Sequence, residues 1–429
     1  MLIRFEVENF RSIADPVELS MIAVDRDRNA AVPIELLQES LLKVSAIYGP
    51  NASGKSNVVA ALAWLRAAFP LSLQYWDDGI PCDPFAFGDG PSKATRFTLE
   101  MTVDGVRFEY QLELTREKVI WEALYHYPHK VKRKIFERDG QQLSFQRGVN
   151  GLGGTKELLT ERSLVVSIAQ RYDRPLVAAF YLEVVSMNTQ TPQRPPLGGP
   201  RVTHGSRGSN ITLHWFDHNT HQQTLFADAS GPVSTSGTDR KRALSLLQLA
   251  DLGIADVLIE KEEVPATDAS PAGVRQRLRL LHYAGNSVSP LEFDNESEGT
   301  KSWFSMIGPV LDTLTEGSIM VIDELDASLH TTLSAALIDI FQREDTNPKG
   351  AQLLFTSHDT SLLDQLNRDE VWFTEKDAEG KTRLGSLAEF AGERVRKSVN
   401  LEAAYLSGKF GALPNIDESG FVRALELVG

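Results

Sequence analysis

The chain opens on an alternation. In MLIRFEVENF apolar and polar residues take turns from Leu2 to Val7, the period-two pattern of a strand with one buried face. A different pattern follows at Val44-Ser45-Ala46-Ile47-Tyr48, a short apolar run that ends directly in Gly49, with a helical spacing of apolar residues from Asn57 to Phe69 behind it. Strand, glycine-rich turn and helix in that order make a βα unit. Between Arg96 and Leu114 period two returns: Phe97, Leu99, Met101 and Val103 lead into Asp104-Gly105, and Val106, Phe108, Tyr110, Leu112 and Leu114 lead out. This predicts a β-hairpin closed by a type I′ turn.

The pattern then loses clarity. Residues 119 to 185, which include HKVKRKIFER, mix strand-like and helix-like stretches and predict no definite order of elements. From Met187 to Asp239 the composition turns to Pro, Gly, Ser, Thr, Asn and Gln around a short apolar island, which reads as an excursion from the core. From Lys241 a helix (LSLLQLADLG), two strands (ADVLIEKEEV and VRQRLRLLHYA), a further helix and the buried run Ser318 to Ile322 lead to Asp323. The expected organisation is a first lobe over 1–118, an inserted segment over 119–240 and a second lobe over 241–429. No internal repeat and no long heptad run interrupts it.

Composition narrows the class. With 429 residues and 42% apolar content the chain can bury a sizeable core, and its net charge of -14 speaks against binding nucleic acid through bulk electrostatics. The single cysteine, Cys82, excludes an internal disulfide framework and a cysteine zinc site. The first residues lack the basic start and apolar core of a signal peptide, and the expectation is a cytoplasmic protein with no membrane partner.

The chemistry begins at the turn after Tyr48. Gly49-Pro50-Asn51-Ala52-Ser53-Gly54-Lys55-Ser56 satisfies GxxxxGK[ST] in full, between a predicted strand and a predicted helix. In such a loop backbone amides turn inward on phosphates, Lys55 reaches the β and γ oxygens, Ser56 ligates Mg²⁺ and the helix N-terminus adds positive potential. An ordinary glycine-rich turn is the competing reading, and the flanking strand and helix disfavour it. Ser318 to Glu324 supplies the complement, a buried strand ending in two acids. Asp323 would hold Mg²⁺ through water and Glu324 would polarise an attacking water. A third buried strand, Gln352 to Phe355, runs into Thr356-Ser357-His358-Asp359, and puts His358 where a γ-phosphate would lie. Alone, each of these last two features is weak.

In order, the chain carries a phosphate loop, Ser297-Glu298-Gly299-Thr300-Lys301 opening a helix, Asp323-Glu324, Leu325 to His330, and a strand ending at His358. This order resembles the ATP-binding-cassette (ABC) ATPases of the RecF, SMC and OLD kind. The stretches VENFRSI, IYGPNASGKSN, LLQLADLGIADV, ESEGTKSWF, VIDELDASLH, LLFTSHDTSLLD, RDEVWFTEKD and YLSGKFGALPNID are similar to bacterial AAA-family proteins of the abortive-infection type, the AbiL/RloA group that includes the ATPase of the PARIS antiphage system. The resemblance implies an α/β P-loop NTPase head of ABC type, two-lobed, with a mixed sheet, a hairpin-rich first lobe and an inserted helical or irregular segment. It implies ATP and Mg²⁺ as ligands, ATP hydrolysis, and a homodimer or larger assembly with composite sites. In these, Ser297, Gly299 and Thr300 form the signature facing the partner's nucleotide, Asp326 lies in the loop crossing the interface and His358 is the switch histidine. Arg11, Ser12 and Asn57 would join Gly49 to Ser56 around the nucleotide, and Gln170 would complete the Mg²⁺ shell beside Ser56 and Asp323. The signature lacks the second glycine and the glutamine of transporter forms. After Asp377 too little chain remains for a fused TOPRIM nuclease, so an effector nuclease or toxin would be a separate polypeptide, with DNA or a phage product as trigger.

Other functions stay in view. His204, His214, His218 and His221 have metal-like spacing, but a solvated loop explains them better. Lys130, Lys132, Arg133 and Lys134, with Tyr125, Tyr127 and Phe136 nearby, would suit a DNA backbone or simply a charged solvent face. A DNA-repair clamp and an ATP-binding scaffold without turnover therefore remain alternatives to a defence ATPase.

Overall fold

The computed structural model describes residues 1–25, 30–146, 153–171, 175–191, 204–217, 237–264, 273–327, 329–391 and 401–407. Two strands, β1 (Leu2–Glu8) and β2 (Val17–Ser20), precede a small ribbon of β3 (Ala31–Ile34) and β4 (Glu39–Leu42). Then β5 (Val44–Tyr48) feeds the phosphate loop and α1 (Lys55–Tyr75), which runs on through Pro70 past the predicted end at Phe69. The predicted hairpin is present as β6 (Thr95–Val103) and β7 (Val106–Leu114), with Asp104 and Gly105 at φ 49° and 76°, the two positive values that a type I′ turn needs.

The segment that resisted a reading from sequence continues this sheet. β8 (Val119–His126), β9 (Arg133–Asp139) and β10 (Gln142–Phe145) add antiparallel neighbours, giving a seven-stranded order β10-β9-β8-β7-β6-β1-β2. The first lobe thus does not end at 118: β8 pairs with β7 from Val119 to His126, and a boundary there would cut a hydrogen-bonded ladder. Three helices follow, α2 (Gly153–Leu158), α3 (Val165–Ala169) and α4 (Pro175–Ser186), and then the short strand β11 (Asn188–Gln190).

A buried polar clasp fastens α3 to this sheet. The Glu122 carboxylate, on β8, accepts from the amides of Val165 and Val166 at the start of α3, at 2.6 and 2.9 Å, and from Tyr110 Oη at 3.0 Å. Arg138 lies 4.0 Å away, fully buried, and donates to the carbonyls of Gly140, Thr160 and Ser163. Burial pushes the Glu122 carboxyl upward against these partners. Glu122→Ala is expected to destabilise the fold by about 3–5 kcal/mol in chemical denaturation, because it leaves a buried guanidinium uncompensated.

The second half builds the other sheet. α5 (His204–Phe216) and α6 (Gly237–Ala250) precede a meander of β12 (Ile254–Val264), β13 (Gly273–Ala284) and β14 (Ser287–Glu292). α7 (Glu298–Glu316) then leads to β15 (Ile319–Ile322), α8 (Thr331–Gln342), β16 (Gln352–Thr356), β17 (Val371–Lys376), β18 (Thr382–Ser386) and the short helices α9 (Leu387–Ala391) and α10 (Leu401–Leu406). The sheet order is β11-β15-β16-β5-β17-β18, parallel except for β18.

Both faces of this parallel sheet are covered, which explains its unbroken apolar runs. Ile47, Ile319, Val321 and Leu354 join Val58, Trp64 and Phe69 of α1 and the inner face of the antiparallel sheet in one core. Ala46, Tyr48, Met320, Ile322 and Phe355 join Trp303, Phe304 and Ile307 of α7 and Leu337 and Phe341 of α8 in the other. Helix α1 is long and apolar enough to cross a membrane by length and composition, but it follows the phosphate loop and packs between the two sheets, as a core helix does.

Helix α7 is braced across a weak point. Thr212 of α5 donates its hydroxyl to the Phe304 carbonyl at 2.7 Å and accepts from the Gly308 amide at 2.8 Å, so it stands inside the helical ladder one residue before Pro309. The two helices approach so closely that a Cβ on Gly308 would sit 2.4 Å from the Thr212 amide nitrogen. The polar excursion of the sequence thus contains α5, a structural partner of the signature helix, while 192–203 and 218–236 fall outside the described residues.

Candidate functional site

The site forms at the carboxyl edge of the parallel sheet, because β5, β15 and β16 run side by side and release their loops there. The strand order interposes β16 between the phosphate-loop strand and the acid-bearing strand. His358 is thereby delivered between Lys55 and the acids.

The phosphate loop is held from behind by two threonines. Ser53 Oγ bonds Thr374 Oγ1 at 2.6 Å, and Thr382 Oγ1 donates to the Ser53 carbonyl at 2.9 Å. Gly54, at φ 109°, caps α1, and a Cβ there would meet Thr382 Oγ1 at 2.1 Å. Gly54→Ala is therefore expected to abolish nucleotide binding by equilibrium titration and to cost at least about 1–3 kcal/mol of stability, since space and dihedral both refuse it. Ser12 and Asn57 belong to the same brace: Asn57 Nδ2 donates to Ser12 Oγ at 2.6 Å, and Ser12 Oγ lies 2.7 Å from Thr382 Oγ1. Arg11 turns elsewhere, its Nε 3.6 Å from Asp83 and its guanidinium over Phe10.

Lys55 Nζ donates to the carbonyls of Gly49 and Pro50 at 2.9 and 3.2 Å and lies 3.4 Å from His358 Nδ1. Burial pulls its pKa down to about 8, against the attraction of Asp323, Asp326 and Glu324. His358 is also lowered, first by burial and then by the Lys55 charge. Thr356 organises the acids. Its Oγ1 donates to Asp323 Oδ1 at 2.7 Å and accepts from the Glu324 amide at 2.8 Å, while its carbonyl accepts from the Leu325 amide at 3.0 Å. Asp323 is buried and Glu324 exposed. Glu324 adopts φ 58°, a left-handed conformation uncommon outside glycine and a form of strain found at functional sites. Asp326 Oδ1 accepts from the His358 amide at 3.1 Å, which locks the loop after β15 to the loop after β16.

Gln170 does not join this group. Its helix, α3, is fastened to the far half of α1, where Ser167 Oγ donates to the Phe69 carbonyl at 2.6 Å. Phe69 lies fourteen steps along the helix from Lys55, a span of about 21 Å. A different glutamine, Gln190, ends β11 beside the acids, opposite Ile322 and with its backbone carbonyl accepting from the Asp323 amide at 2.9 Å. Neither Gln190 nor Thr356 stood out as functional in the sequence. The three-residue strand β11 is too short to show a period, and Thr356 is marked only by the strand-ending Thr-Ser-His.

Ser297 is the N-cap of α7. Its Oγ accepts from the Thr300 amide at 3.1 Å and lies 2.8 Å from Thr300 Oγ1, and no atom crowds the open side of Gly299 closer than Ser297 Oγ at 3.8 Å. Helix α7 spans 19 residues, about 28 Å, but returns along a four-residue strand of about 13 Å. Its N-terminus therefore projects well beyond the carboxyl edge where the phosphate loop opens.

Other candidates fare differently. Lys132 and Lys134 are engaged by Glu109 and Glu137 at 3.0 and 2.8 Å, so half of the basic cluster is already neutralised. His214 lies on α5, whereas His218 and His221 lie outside the described residues, as does the chain from 408 onward. Among the described residues no three His, Cys, Asp or Glu side chains gather as a metal site.

The family model described as "AAA domain, putative AbiEii toxin, Type IV TA system" matches residues 44–165 and 204–364, well over half of the chain. The chain belongs to that family. Kinship with AAA-domain proteins of the abortive-infection kind is thereby shown, and the α/β P-loop architecture agrees with it. No curated protein matches the chain in sequence. Among solved structures it is similar to the SMC head domain from Thermotoga maritima, at 13% identity and TM-score 0.41, over 90% of this chain and 98% of that one. It is also similar to an SmcHead bound to the C-winged helix domain of ScpA, at 11% identity and TM-score 0.41, over 90% and 97% of the two chains. A third is an Smc head domain with an extended coiled coil bound to the C-terminal domain of ScpA derived from Pyrococcus furiosus, at 12% identity and TM-score 0.37, with 90% and 97% covered.

Proposed function

We propose that the protein hydrolyses ATP at sites shared between two copies of the chain, and that this cycle governs a separate effector in bacterial defence. The observation that carries the catalytic part is the convergence of Lys55, His358, Asp326, Asp323 and Glu324 through Thr356 at one sheet edge. The family supports the abortive-infection setting.

In this reading the amides of residues 51 to 56 and the Lys55 side chain bind the phosphates, with the N-terminus of α1 beneath them. Ser56, Asp323 and Gln190 offer a hydroxyl, a carboxylate and an amide, an all-oxygen donor set that suits Mg²⁺. Held by these residues, Mg²⁺ would supply charge neutralisation to the phosphates. Glu324 accepts a proton from the water that attacks the γ-phosphorus, the bond from phosphorus to the bridging oxygen breaks, and ADP leaves with that electron pair. His358, tied to Asp326, reports the γ-phosphate to the loop after β15. Purified protein should hydrolyse ATP with a turnover per protomer that rises with protein concentration and saturates. A rate per protomer independent of concentration over the whole range, from a species that stays monomeric by light scattering, overturns the shared site. A clamp on DNA is less supported, since Glu109 and Glu137 occupy half of the basic cluster.

A further inference from the structure

The residue just before the signature serine is a buried acid with one side-chain partner among the described residues. Glu296 has a side chain only 5% exposed, and its Oε1 lies 2.7 Å from His282 Nε2. A carboxylate taken out of water needs such a partner, and this one comes from a different part of the fold. His282 sits in the central strand of the meander, paired with Ile254 of β12 on one side and Ser289 of β14 on the other, so its backbone is fixed. Its second ring nitrogen, Nδ1, faces Asp251 Oδ2 at 3.8 Å. Asp251 is itself anchored, with Oδ1 accepting from the Gly253 amide at 2.7 Å, and the Gly253 carbonyl accepts from the Tyr283 amide at 2.9 Å. A continuous line thus runs from the turn at Asp251 through His282 to Glu296 and ends beside Ser297.

Among the described residues the other bonds of the signature turn are local: the Glu296 amide donates to the Phe293 carbonyl at 3.1 Å, the Lys301 amide to the Ser297 carbonyl at 3.0 Å, Ser297 Oγ caps α7, and Glu298, 90% exposed, pairs with Lys301 at 3.0 Å. A turn that must present a serine and helix amides to a ligand outside its own protomer tolerates little displacement, because an error of about 1 Å in placement costs roughly 10²-fold in rate.

We propose that His282 is a positioning residue for the signature: by holding Glu296 against the meander it fixes the direction in which Ser297 and the first amides of α7 face a nucleotide bound by a second protomer. This rests on the shared-site reading above, and the test separates the two.

His282→Ala, His282→Gln and Ser297→Arg are compared in the full-length protein for ATP turnover at saturating protein, and for binding of a fluorescent ATP analogue at low protein concentration. His282→Ala is expected to lower turnover about 10- to 100-fold while nucleotide affinity at low concentration stays within about twofold of the parent. His282→Gln, whose amide can donate to Glu296 as Nε2 does, is expected to recover turnover to within about threefold of the parent. If Ser297→Arg abolishes turnover but His282→Ala leaves it unchanged, the positioning role is overturned and the shared site stands. If Ser297→Arg turns over normally, the shared site itself falls. Equal loss in His282→Ala and His282→Gln, or a matching loss of nucleotide affinity, reduces His282 to general stability and overturns the proposal.

Discussion

Glu324→Gln is expected to bind ATP as tightly as the parent and to hydrolyse it about 10²–10⁴-fold more slowly, the usual range for loss of a positioned general base. The geometry makes the separation of the two effects sharp. Lys55 donates to the Gly49 and Pro50 carbonyls, the loop is braced by Thr374 and Thr382, and none of these hydrogen bonds involves Glu324. The Glu324 backbone is held by the Thr356 hydroxyl in its left-handed conformation, and glutamine can occupy the same backbone position with the same side-chain length. The amide only loses the capacity to accept a proton. A shared-site protein arrested in this way should accumulate with ATP as a dimer, measured by light scattering beside nucleotide titration. Parent-like phosphate release by the variant would remove Glu324 from its role and point to another base.

Much of this site was legible in the sequence because its parts are local. The phosphate loop, the acids after β15 and the histidine after β16 are each a short run directly attached to an apolar strand, and strand ends convert sequence position into place in the fold. The hairpin at Asp104-Gly105 was equally plain, since two positive φ values admit few residue pairs. What failed was long-range. β8 to β10 are strands whose outer face is charged and whose register depends on β7, so their own alternation was blurred by residues such as Glu122 and Arg138, buried only because they satisfy each other and the start of α3. Gln170 was chosen over Gln190 for the same reason. That Gln190 ends beside Asp323 depends on β11 pairing with a strand about 130 residues later, a separation over which sequence pattern carries no information. The same holds for Thr212, whose purpose appears only where α5 meets the weak point of α7 before Pro309.

Ser297→Arg separates a site made by one chain from a site made by two. The signature lies at the N-terminal end of α7, a helix of about 28 Å, and a Cβ on its glycine would meet nothing nearer than Ser297 Oγ at 3.8 Å. An arginine there adds bulk and positive charge to a surface that, in the proposed shared site, faces a partner's phosphates, yet leaves Lys55, Gly54 and their braces untouched. Nucleotide affinity at low protein concentration should therefore stay within about twofold of the parent, while turnover at high concentration falls at least about 10²-fold, as when a preorganised donor is lost. Mixing gives the decisive case. A Lys55→Ala protomer keeps its signature but loses its phosphate loop, and a Ser297→Arg protomer the reverse, so each is inactive alone. In an equal mixture with a twofold axis, half of the dimers pair one of each, and one of their two sites is intact, which should restore about a quarter of the parent activity. A mixture as inactive as its components would mean that phosphate loop and signature do not meet across two chains.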